Sequence, residues 1–467
     1  MKEGFVVPVK EKVAFGLGDL ANNLAITAMN FYFIFFVVNV AGLTPLQAGV
    51  TYWVSRTIAA CTDLLMGIVS DRTSSRFGRR RVFLLVGAVP MGLFFLFLWL
   101  IPTHNSTLLF IYFLAVMVLF NVTLSVVTIP YNSLMPELTQ NYDERTSISG
   151  FRMAFSFLGN LLAAAGVAVI VDNIFPGRAE YASSYPVMGI IFGAVTALLV
   201  LVTFLGTRER IHADAEQVLS KGFGHELSTL WQVRETRMMI VLFICNQVGA
   251  DIFMAMIIFF LKDVMLIPDS MTSIIMAIPL LIAVASAPLW VFLGEKMGKR
   301  QAYILGVVVY LVPVVMVLAA PVGNLTIVYL IAALIGIGSS ATQVLPWSML
   351  PDVVEFDEYQ NGVRREGFFM GATQLLYKVN SAVFVFLATS ALGVFGYIQN
   401  NPGGAQPAPA LIAIRVILGA GTALFYLVAA FFAWKLPLTR QRFEEVKRLI
   451  GERKGQKAGE SAPANAG

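Results

Sequence analysis

Two long apolar runs constrain the fold of this chain more than any other feature. Residues 82–101 read VFLLVGAVPMGLFFLFLWLI and residues 185–206 read YPVMGIIFGAVTALLVLVTFLG, and neither contains a charged residue. Each has the length of about 20 residues that an α-helix needs to cross the hydrocarbon core of a bilayer. Only 13% of the 467 residues are charged, against about 25% in an average soluble protein. The sequence therefore predicts an all-α membrane protein that sits in the lipid bilayer.

Apolar segments of spanning length recur along the chain and predict twelve transmembrane helices in two six-helix bundles. We place the N-terminal bundle at 1–207, a cytoplasmic linker loop at 208–237, the C-terminal bundle at 238–440 and a disordered cytoplasmic tail at 441–467. The linker is polar, and the tail has the small, polar composition of disordered segments. The predicted spans are 12–40, 46–70, 82–101, 107–136, 147–171, 185–206, 238–261, 271–294, 302–320, 324–350, 366–396 and 409–435.

The basic residues are distributed unevenly between the two sides of the predicted membrane domain. Most of the 33 lysines and arginines fall in the termini and in the loops on the same side as the termini. Because loops rich in Lys and Arg stay in the cytoplasm, we expect a multi-pass protein of the cytoplasmic membrane with both termini in the cytoplasm. The net charge of +5 then reflects topology, and it indicates no nucleic-acid partner.

The segment RTIAACTD, residues 56–63, places an arginine and an aspartate inside a predicted span. Arg56 and Asp63 are seven residues apart, which is about two turns along one helix face. A charge near the bilayer centre costs roughly 2.5–3.5 kcal/mol on insertion scales, so such residues usually serve transport or pair with each other. We expect Asp63 to bind the coupling ion or to form half of a structural ion pair, with Arg56 as its neighbour. Further charged residues inside predicted spans include Asp19, Arg152, Asp251, Lys378 and Arg415.

Two weak internal repeats support the division into halves. GIVSDRTSSRFGRRR (67–81) is echoed by FLGEKMGKRQ (292–301), and IPYNSLMPEL (129–138) by LPWSMLPDV (345–353). Parallel repeats of this kind are expected of transporters built from two rocking bundles. The first motif resembles the loop between helices 2 and 3 of the major facilitator superfamily.

A more specific set of motifs narrows this resemblance. FGLGDLANN, AGLTPLQAG, RTIAACTDLLMGIVSDRT, DERTSISGFRMAF and SMLPDVVEFDEY followed by RREG are similar to the glycoside–pentoside–hexuronide:cation symporter family, whose best-known member is the melibiose permease. The resemblance extends from about residue 10 to residue 440. It implies twelve helices and a site for solute and cation near the membrane midplane.

The resemblance implies that Asp63 is the cation-coupling carboxylate, with Thr62 and Thr128 as candidate partners. In the family a second carboxylate lies four residues earlier, and here that position is Ala59. Sodium needs several oxygen ligands, which hydroxyls and carbonyls near Asp63 could complete, and no other metal site is indicated. A proton needs only one carboxylate whose burial favours protonation. The loss of a carboxylate favours H⁺, and Na⁺ stays the alternative.

The resemblance also implies a solute site formed by Asn23, Asn132, Arg152 and Lys378. The asparagines and Thr128 replace two aspartates and a tryptophan of the melibiose permease, so the chain departs from the α-galactoside pattern. The structural alternatives are an interhelical salt bridge for Arg152 and, for Lys378, a side chain extended to the membrane interface. Asp19 belongs to the family motif, whereas only its position supports Asp251.

Charges in the loops on the terminal side form a predicted cytoplasmic gate. Ion pairs across the two bundles would close this side when the transporter opens outward, and they would break when it opens inward. The alternative is topology determination by solvated charges. The predicted gate residues are Asp71, Arg72, Glu137, Arg145, Asp352, Glu355 and Arg364.

These expectations define a cation-coupled symporter that moves a small organic solute, with a sugar or glycoside favoured. The vertebrate sodium-dependent lysophosphatidylcholine symporters belong to the same wider family and share WSMLPDV-like residues, so a lysophospholipid is the alternative substrate. No GxxxxGK[ST] phosphate loop occurs, which disfavours a primary pump. The sequence predicts no enzyme activity, no cofactor beyond the coupling ion H⁺ or Na⁺, and no obligate protein partner.

Overall fold

The structure is a computed structural model, and it describes residues 7–139, 142–174, 181–210, 223–361, 366–401 and 405–437 with five residues between 442 and 449. Three π-helical segments, Val169–Ile174, Phe260–Val264 and Ile417–Gly421, continue or interrupt helices in this part of the chain. Its α-helices are α1 Val9–Asn39, α2 Pro45–Arg72, α3 Arg81–Phe97, α4 Ser106–Leu138, α5 Tyr142–Ala168, α6 Tyr181–Gly206, α7 Phe223–Gln232, α8 Arg234–Phe259, α9 Asp269–Met297, α10 Lys299–Ala319, α11 Leu325–Asn361, α12 Glu366–Val394, α13 Ala408–Val416 and α14 Thr422–Lys435.

Ten helices of the described residues are long and apolar enough to cross a membrane. Of the other two predicted spans, α2 has 28 residues but carries several charges, and α3 is apolar but has only 17 residues. The all-α membrane fold is therefore confirmed, and the count of twelve stays a prediction. Large apolar side chains cover the outside, as Leu205 at 73% exposure and Val86 at 62% illustrate; such a surface suits lipid.

Local sequence signals set the ends of several helices. Thr44 begins α2 with a capping box, in which its side chain accepts from the Gln47 backbone N–H and Gln47 accepts from the Thr44 backbone N–H. Asn105 begins α4 by accepting hydrogen bonds from two backbone N–H groups. The predicted linker loop 208–237 contains the short helix α7, in which Leu230 is fully buried. The apolar residues of FGHELSTLWQ recur at helical spacing, which explains this difference from the predicted loop.

The helices form two groups in space. We call α1–α6 the first helix group and α8–α14 the second helix group, because helices within each set pack mainly against one another. Among the described residues, the main contacts between the groups are those of α2 with α12, α5 with α9, and α1 with α8, and the π-helical segment Val169–Ile174 also contacts α9. The domain boundaries themselves, and the tail at 441–467, which lies almost wholly outside the described residues, stay predictions.

Glycines allow close approach of helices inside the second group. A Cβ on Gly338 of α11 would lie 2.6 Å from the Tyr310 Cα of α10, a distance that requires one backbone to move. Small residues at such contacts permit packing without a hydrophobic driving force between helices. The α10–α11 contact therefore depends on the missing side chain at Gly338.

We expect Gly338→Ala to lower the thermal unfolding temperature in detergent, because overpacking costs about 1–3 kcal/mol. Gly371→Ala is the matched control, since a Cβ there meets nothing within 4 Å and Ala favours helix over Gly by roughly 0.5–1 kcal/mol. The control should unfold at the same or a higher temperature. Equal destabilisation of both variants would show that the close contact does not limit stability.

Candidate transport site

The membrane domain has two opposite faces, and the contacts between the two helix groups differ from one face to the other. We call the face that carries Val7 and the loop 73–80 the terminal face, and the face that carries the loops 40–44 and 265–268 the distal face. Helices crossing alternately between these faces bring the end of α1 and the start of α2 to the distal face. The following contacts all join the two groups on the distal half of these helices.

Aromatic and polar contacts close the distal face. Phe35 of α1 meets Phe259 of α8 at 5.2 Å between ring centroids, and Trp53 of α2 meets Phe386 of α12 at 5.6 Å. The Tyr397 hydroxyl lies 2.8 Å from Asn39 Oδ1. Side chains from both groups thus fill the distal ends of the helices that join them.

Charged pairs at the terminal face lie within single groups. Arg79 meets Glu137 at 2.5 Å and Arg80 meets Asp71 at 3.0 Å, all in the first group. In the second group, Lys299 meets Asp352 at 2.6 Å. These three ion pairs at the terminal face each lie within one group, whereas the contacts at the distal face join the two groups, so the described part of the chain is closed at the distal face. Of the other predicted gate residues, Arg72 is exposed and Glu355 is half-buried, whereas the Arg145 side chain and Arg364 lie outside the described residues.

The loop before α3 is organised by an acidic residue that sequence reasoning missed. Glu209 accepts hydrogen bonds from the backbone N–H groups of Arg79, Arg80 and Arg81 at 2.7–2.8 Å. These groups lie at the positive start of a helix, where a carboxylate is stabilising. Gly78 precedes them at φ 105°, a conformation that favours glycine. The predicted gate loop is therefore tied to the segment that follows α6.

A second acidic contact at this face is pH-dependent. Lys12 Nζ lies 2.9 Å from Glu144 Oε2, and this hydrogen bond, helped by the Val7 backbone N–H, lowers the pKa of Glu144 below its usual range. A carboxylate with a lowered pKa stabilises the fold at neutral pH and loses that contribution as the pH falls through the lowered value. The contact is partly solvated, so its contribution is small.

Asp63 and Lys378 form an ion pair between the two groups. Asp63 lies near the middle of α2, and Lys378 of α12 donates to its Oδ2. The two side chains are 17% and 27% exposed, so water and small ions can reach the pair. A cation that neutralises Asp63 would release Lys378, and this exchange would connect ion binding to the contact between groups.

Asp19 and Arg152 form a bidentate pair inside the first group. Arg152 Nε lies 2.5 Å from Asp19 Oδ2 and its Nη2 lies 3.1 Å from Oδ1. The guanidinium also donates to Asn132 Oδ1 at 2.8 Å and stacks over the rings of Phe15 and Tyr131. Because Asn132 is exposed, this cluster presents a polar edge while its charges are held in a planar arrangement that Lys could not reproduce.

The threonines and asparagines of the predicted site have local partners. Thr62 donates to the Ile58 carbonyl and Thr128 donates to Asn22 Oδ1 at 3.3 Å. Asn23 donates to the Asp19 carbonyl at 2.8 Å. A hydroxyl that donates one hydrogen bond keeps its lone pairs, so these oxygens can still serve as ligands. Among the described contacts, Asp63 is bonded to Lys378, whereas Thr62, Thr128 and Asn23 are bonded to other groups.

Arg56 has partners other than Asp63. Its Nε and Nη2 donate to the Tyr52 hydroxyl at 3.2 Å, and Nη2 also donates to Asn30 Oδ1 at 3.1 Å. The residue is 7% exposed. Tyr52 precedes Arg56 by one helical turn, a spacing that sequence reasoning could have used, while Asn30 is on α1 and left no such signal.

Asp251 lies in a polar cluster of the second group. It is 7% exposed, accepts from the Tyr377 hydroxyl at 2.9 Å, and accepts from the Ser381 hydroxyl. Tyr377 and Ser381 are one turn apart on α12, which packs against α2. Through this packing Asp251 interacts electrostatically with Arg56 across the group interface.

The fold and these intramembrane charges are those expected of a membrane transporter built from two helix groups. The sequence profile of the MFS/sugar transport protein family matches residues 14–440. The chain belongs to this family.

Relatives and solved structures agree with this assignment. The glucuronide carrier protein homolog of Escherichia coli K12 is 27% identical over 95% of this chain and 95% of its own length. The sphingosine-1-phosphate transporter MFSD2B of Xenopus tropicalis is 25% identical over 95% of this chain and 90% of its own. A bacterial homologue of the human lysosomal transporter Spinster, crystallised in an inward-facing and unoccupied conformation, has the same fold with a TM-score of 0.68 at 15% identity, covering 93% of this chain and 100% of that one.

Proposed function

We propose that this protein is a cation-coupled symporter that moves a small organic solute across the cytoplasmic membrane by alternating access. The observation that carries the proposal is the ion pair between Asp63 and Lys378, because it joins the two groups and is still reachable from solvent. Binding of H⁺ or Na⁺ to Asp63 would compete with Lys378. Such competition makes the cation and the contact between groups mutually dependent.

A sugar or glycoside is the solute we favour. The description of the family and the name of the Escherichia coli relative both support sugar transport. Arg152 and Asn132 supply guanidinium and amide groups beside an exposed edge, and groups of this kind hydrogen-bond hydroxyls. The solute would then lie between the two groups, next to Asp63 and Lys378.

A single-chain phospholipid is the second candidate solute. The relative MFSD2B is named for sphingosine-1-phosphate, which has a phosphate headgroup and one long apolar chain. Arg152 and Lys378 would suit such a headgroup once their carboxylate partners are neutralised. Apolar surface between the groups would hold the chain.

The orientation follows from the charge bias. If both termini are cytoplasmic, as the charge bias indicates, the terminal face is cytoplasmic and closure at the distal face corresponds to an inward-facing state. The predicted gate residues would then form bridges between groups in the opposite, outward-open state.

Uptake into proteoliposomes tests the proposed function. The solutes are a neutral glycoside, a glucuronide, lysophosphatidylcholine and sphingosine-1-phosphate, each with a proton gradient, a sodium gradient or neither. We expect glycoside or glucuronide to accumulate with one gradient and only to equilibrate without it. Accumulation of either lipid instead would select the second candidate, and cation-independent equilibration of every solute would contradict symport.

A further inference from the structure

Charged residues of α2 interact with opposite charges of the second helix group in a crossed arrangement. The first group contributes Asp63, which forms an ion pair with Lys378, and Arg56, which interacts electrostatically with Asp251. Asp251 is held by Tyr377 and Ser381 of α12, the helix that packs against α2. Both of these charges on α2 thus have an opposite charge in the other group. The proposed function uses only the Asp63 pair and leaves Asp251 without a role.

Each member of the Arg56–Asp251 pair is held by polar groups of its own helix group. Tyr52 and Asn30, which accept from Arg56, belong to the first group. Tyr377 and Ser381, which donate to Asp251, belong to the second. When the groups separate at the distal face, each charge therefore keeps its hydrogen bonds and loses only its opposite charge.

We propose that Asp251 is a second ion-binding site of this transporter, and that its ligand is a proton taken up when Arg56 moves away. The assignment rests on the proposed alternating access. A carboxylate inside a membrane domain that has lost its counter-charge is costly to keep ionised. A proton on one Asp251 oxygen removes that cost, and the carboxylic acid still accepts from the two hydroxyls. The proton leaves when Arg56 returns, so Arg56 acts as a built-in competitor for the site.

A proton fits this site better than a metal ion. Among the described residues, the groups that interact with Asp251 are the charged Arg56, the hydroxyl of Ser381 and the tyrosines Tyr52, Tyr377 and Tyr426. One carboxylate and two or three hydroxyl oxygens supply fewer ligands than the six or more of hard cations such as Ca²⁺ and Mg²⁺, whereas a proton needs only the carboxylate. The proposal predicts that acidification favours opening of the distal face.

Spin-label distances across the distal face measure this opening without any solute. The spin labels are attached to Leu108→Cys of α4 and to Val322→Cys after α10. Both positions are exposed, at 58% and 59%, and they lie on different groups, so the distance between them reports the opening of the distal face. The background carries Cys61→Ser and Cys245→Ser, which remove both native cysteines. We expect the long-distance population in nanodiscs to rise as the pH falls, with the ratio of populations changing roughly 5- to 150-fold.

Variants assign this response to Asp251. Asp251→Asn should raise the long-distance population at neutral pH and remove most of the pH response, whereas Asp63→Asn should retain it. Arg56→Gln should remove most of the pH response, because the site then has no counter-charge whose departure drives proton uptake. Ser381→Ala should move the midpoint of the response to higher pH, because it removes a hydroxyl that stabilises the ionised carboxylate in both states. Glu235→Gln is the control on the same helix, since Glu235 bonds to Gln360 within the second group, and it should behave as the wild type.

Several outcomes would overturn the proposal. These are an unchanged pH response in Asp251→Asn, loss of the response in Asp63→Asn alone, and a response to sodium at constant pH that Asp251→Asn removes. Ser381→Ala, which changes no charge, tests the site even if Asp251→Asn does not fold. A negative result in the distance measurements does not change the result of the uptake experiment, and a negative uptake result does not change the measured distances. The two proposals are therefore tested separately.

Discussion

Replacing Asp63 by asparagine is expected to remove the cation dependence of solute binding. Asparagine keeps the shape of the side chain but cannot exchange Lys378 for a proton or a sodium ion. A typical coupling between two sites changes affinity by roughly 5- to 150-fold, and this ratio should fall to about one in the variant. Solute affinity measured at saturating and at zero cation gives the ratio directly.

Asp63→Glu is the matched control for this experiment. It keeps the charge on a side chain one methylene longer, so cation dependence should persist with an altered affinity. If Asp63→Asn retains the wild-type ratio, solute coupling does not use Asp63, and Asp19 or Asp251 must provide it. Retention of the ratio would also show that the Asp63–Lys378 ion pair does not couple cation binding to solute binding, as the proposed mechanism requires.

Replacing Asp19 by asparagine is expected to destabilise the protein strongly. Arg152 would then lie in a mostly buried place with Asn132 and two aromatic rings but without its carboxylate. Removal of one partner from a buried ion pair costs about 3–5 kcal/mol. A thermal unfolding series in detergent, together with the yield of monodisperse protein, measures the loss.

A double variant separates the structural role of this pair from a role in solute binding. Asp19→Asn with Arg152→Gln removes both charges, so much of the stability should return, but solute affinity should stay low. Arg152→Lys should fold and bind weakly, because an ammonium cannot make the bidentate contact. Wild-type affinity in the double variant would show that the pair is purely structural.

The class of fold is predictable from sequence because it depends on properties of single segments. The apolar length of 185–206 and the bias of basic loops need no knowledge of neighbours. Prediction of membrane spans from sequence becomes uncertain where an apolar helix is barely long enough to span, as in α3. It also becomes uncertain where charged residues interrupt an apolar helix, as in α2. There, burial against other helices decides whether a segment can stay in the membrane.

The partners of the intramembrane charges are less predictable. Arg56 and Asp63 share one face of one helix, which suggests that they pair with each other. Arg56 instead donates to Tyr52 of the same helix, and the other partners of the two residues come from α1, α8 and α12. Which helices face α2 is a property of the tertiary fold, and no spacing in the sequence records it. Hydroxyl groups such as Ser381 are too common to stand out before the carboxylate beside them is known.

The continuity of α2 has a mechanical consequence. Arg56 and Asp63 lie on a helix of 28 residues with no proline inside it, whereas α9, α10 and α11 each contain internal prolines. An uninterrupted helix would move both side chains together, so under the proposed mechanism the two contacts across the interface would break together. Cycles in which an ion crosses without its solute would then be suppressed. The stiffness of a single helix would thus set the fidelity with which an ion gradient is converted into work.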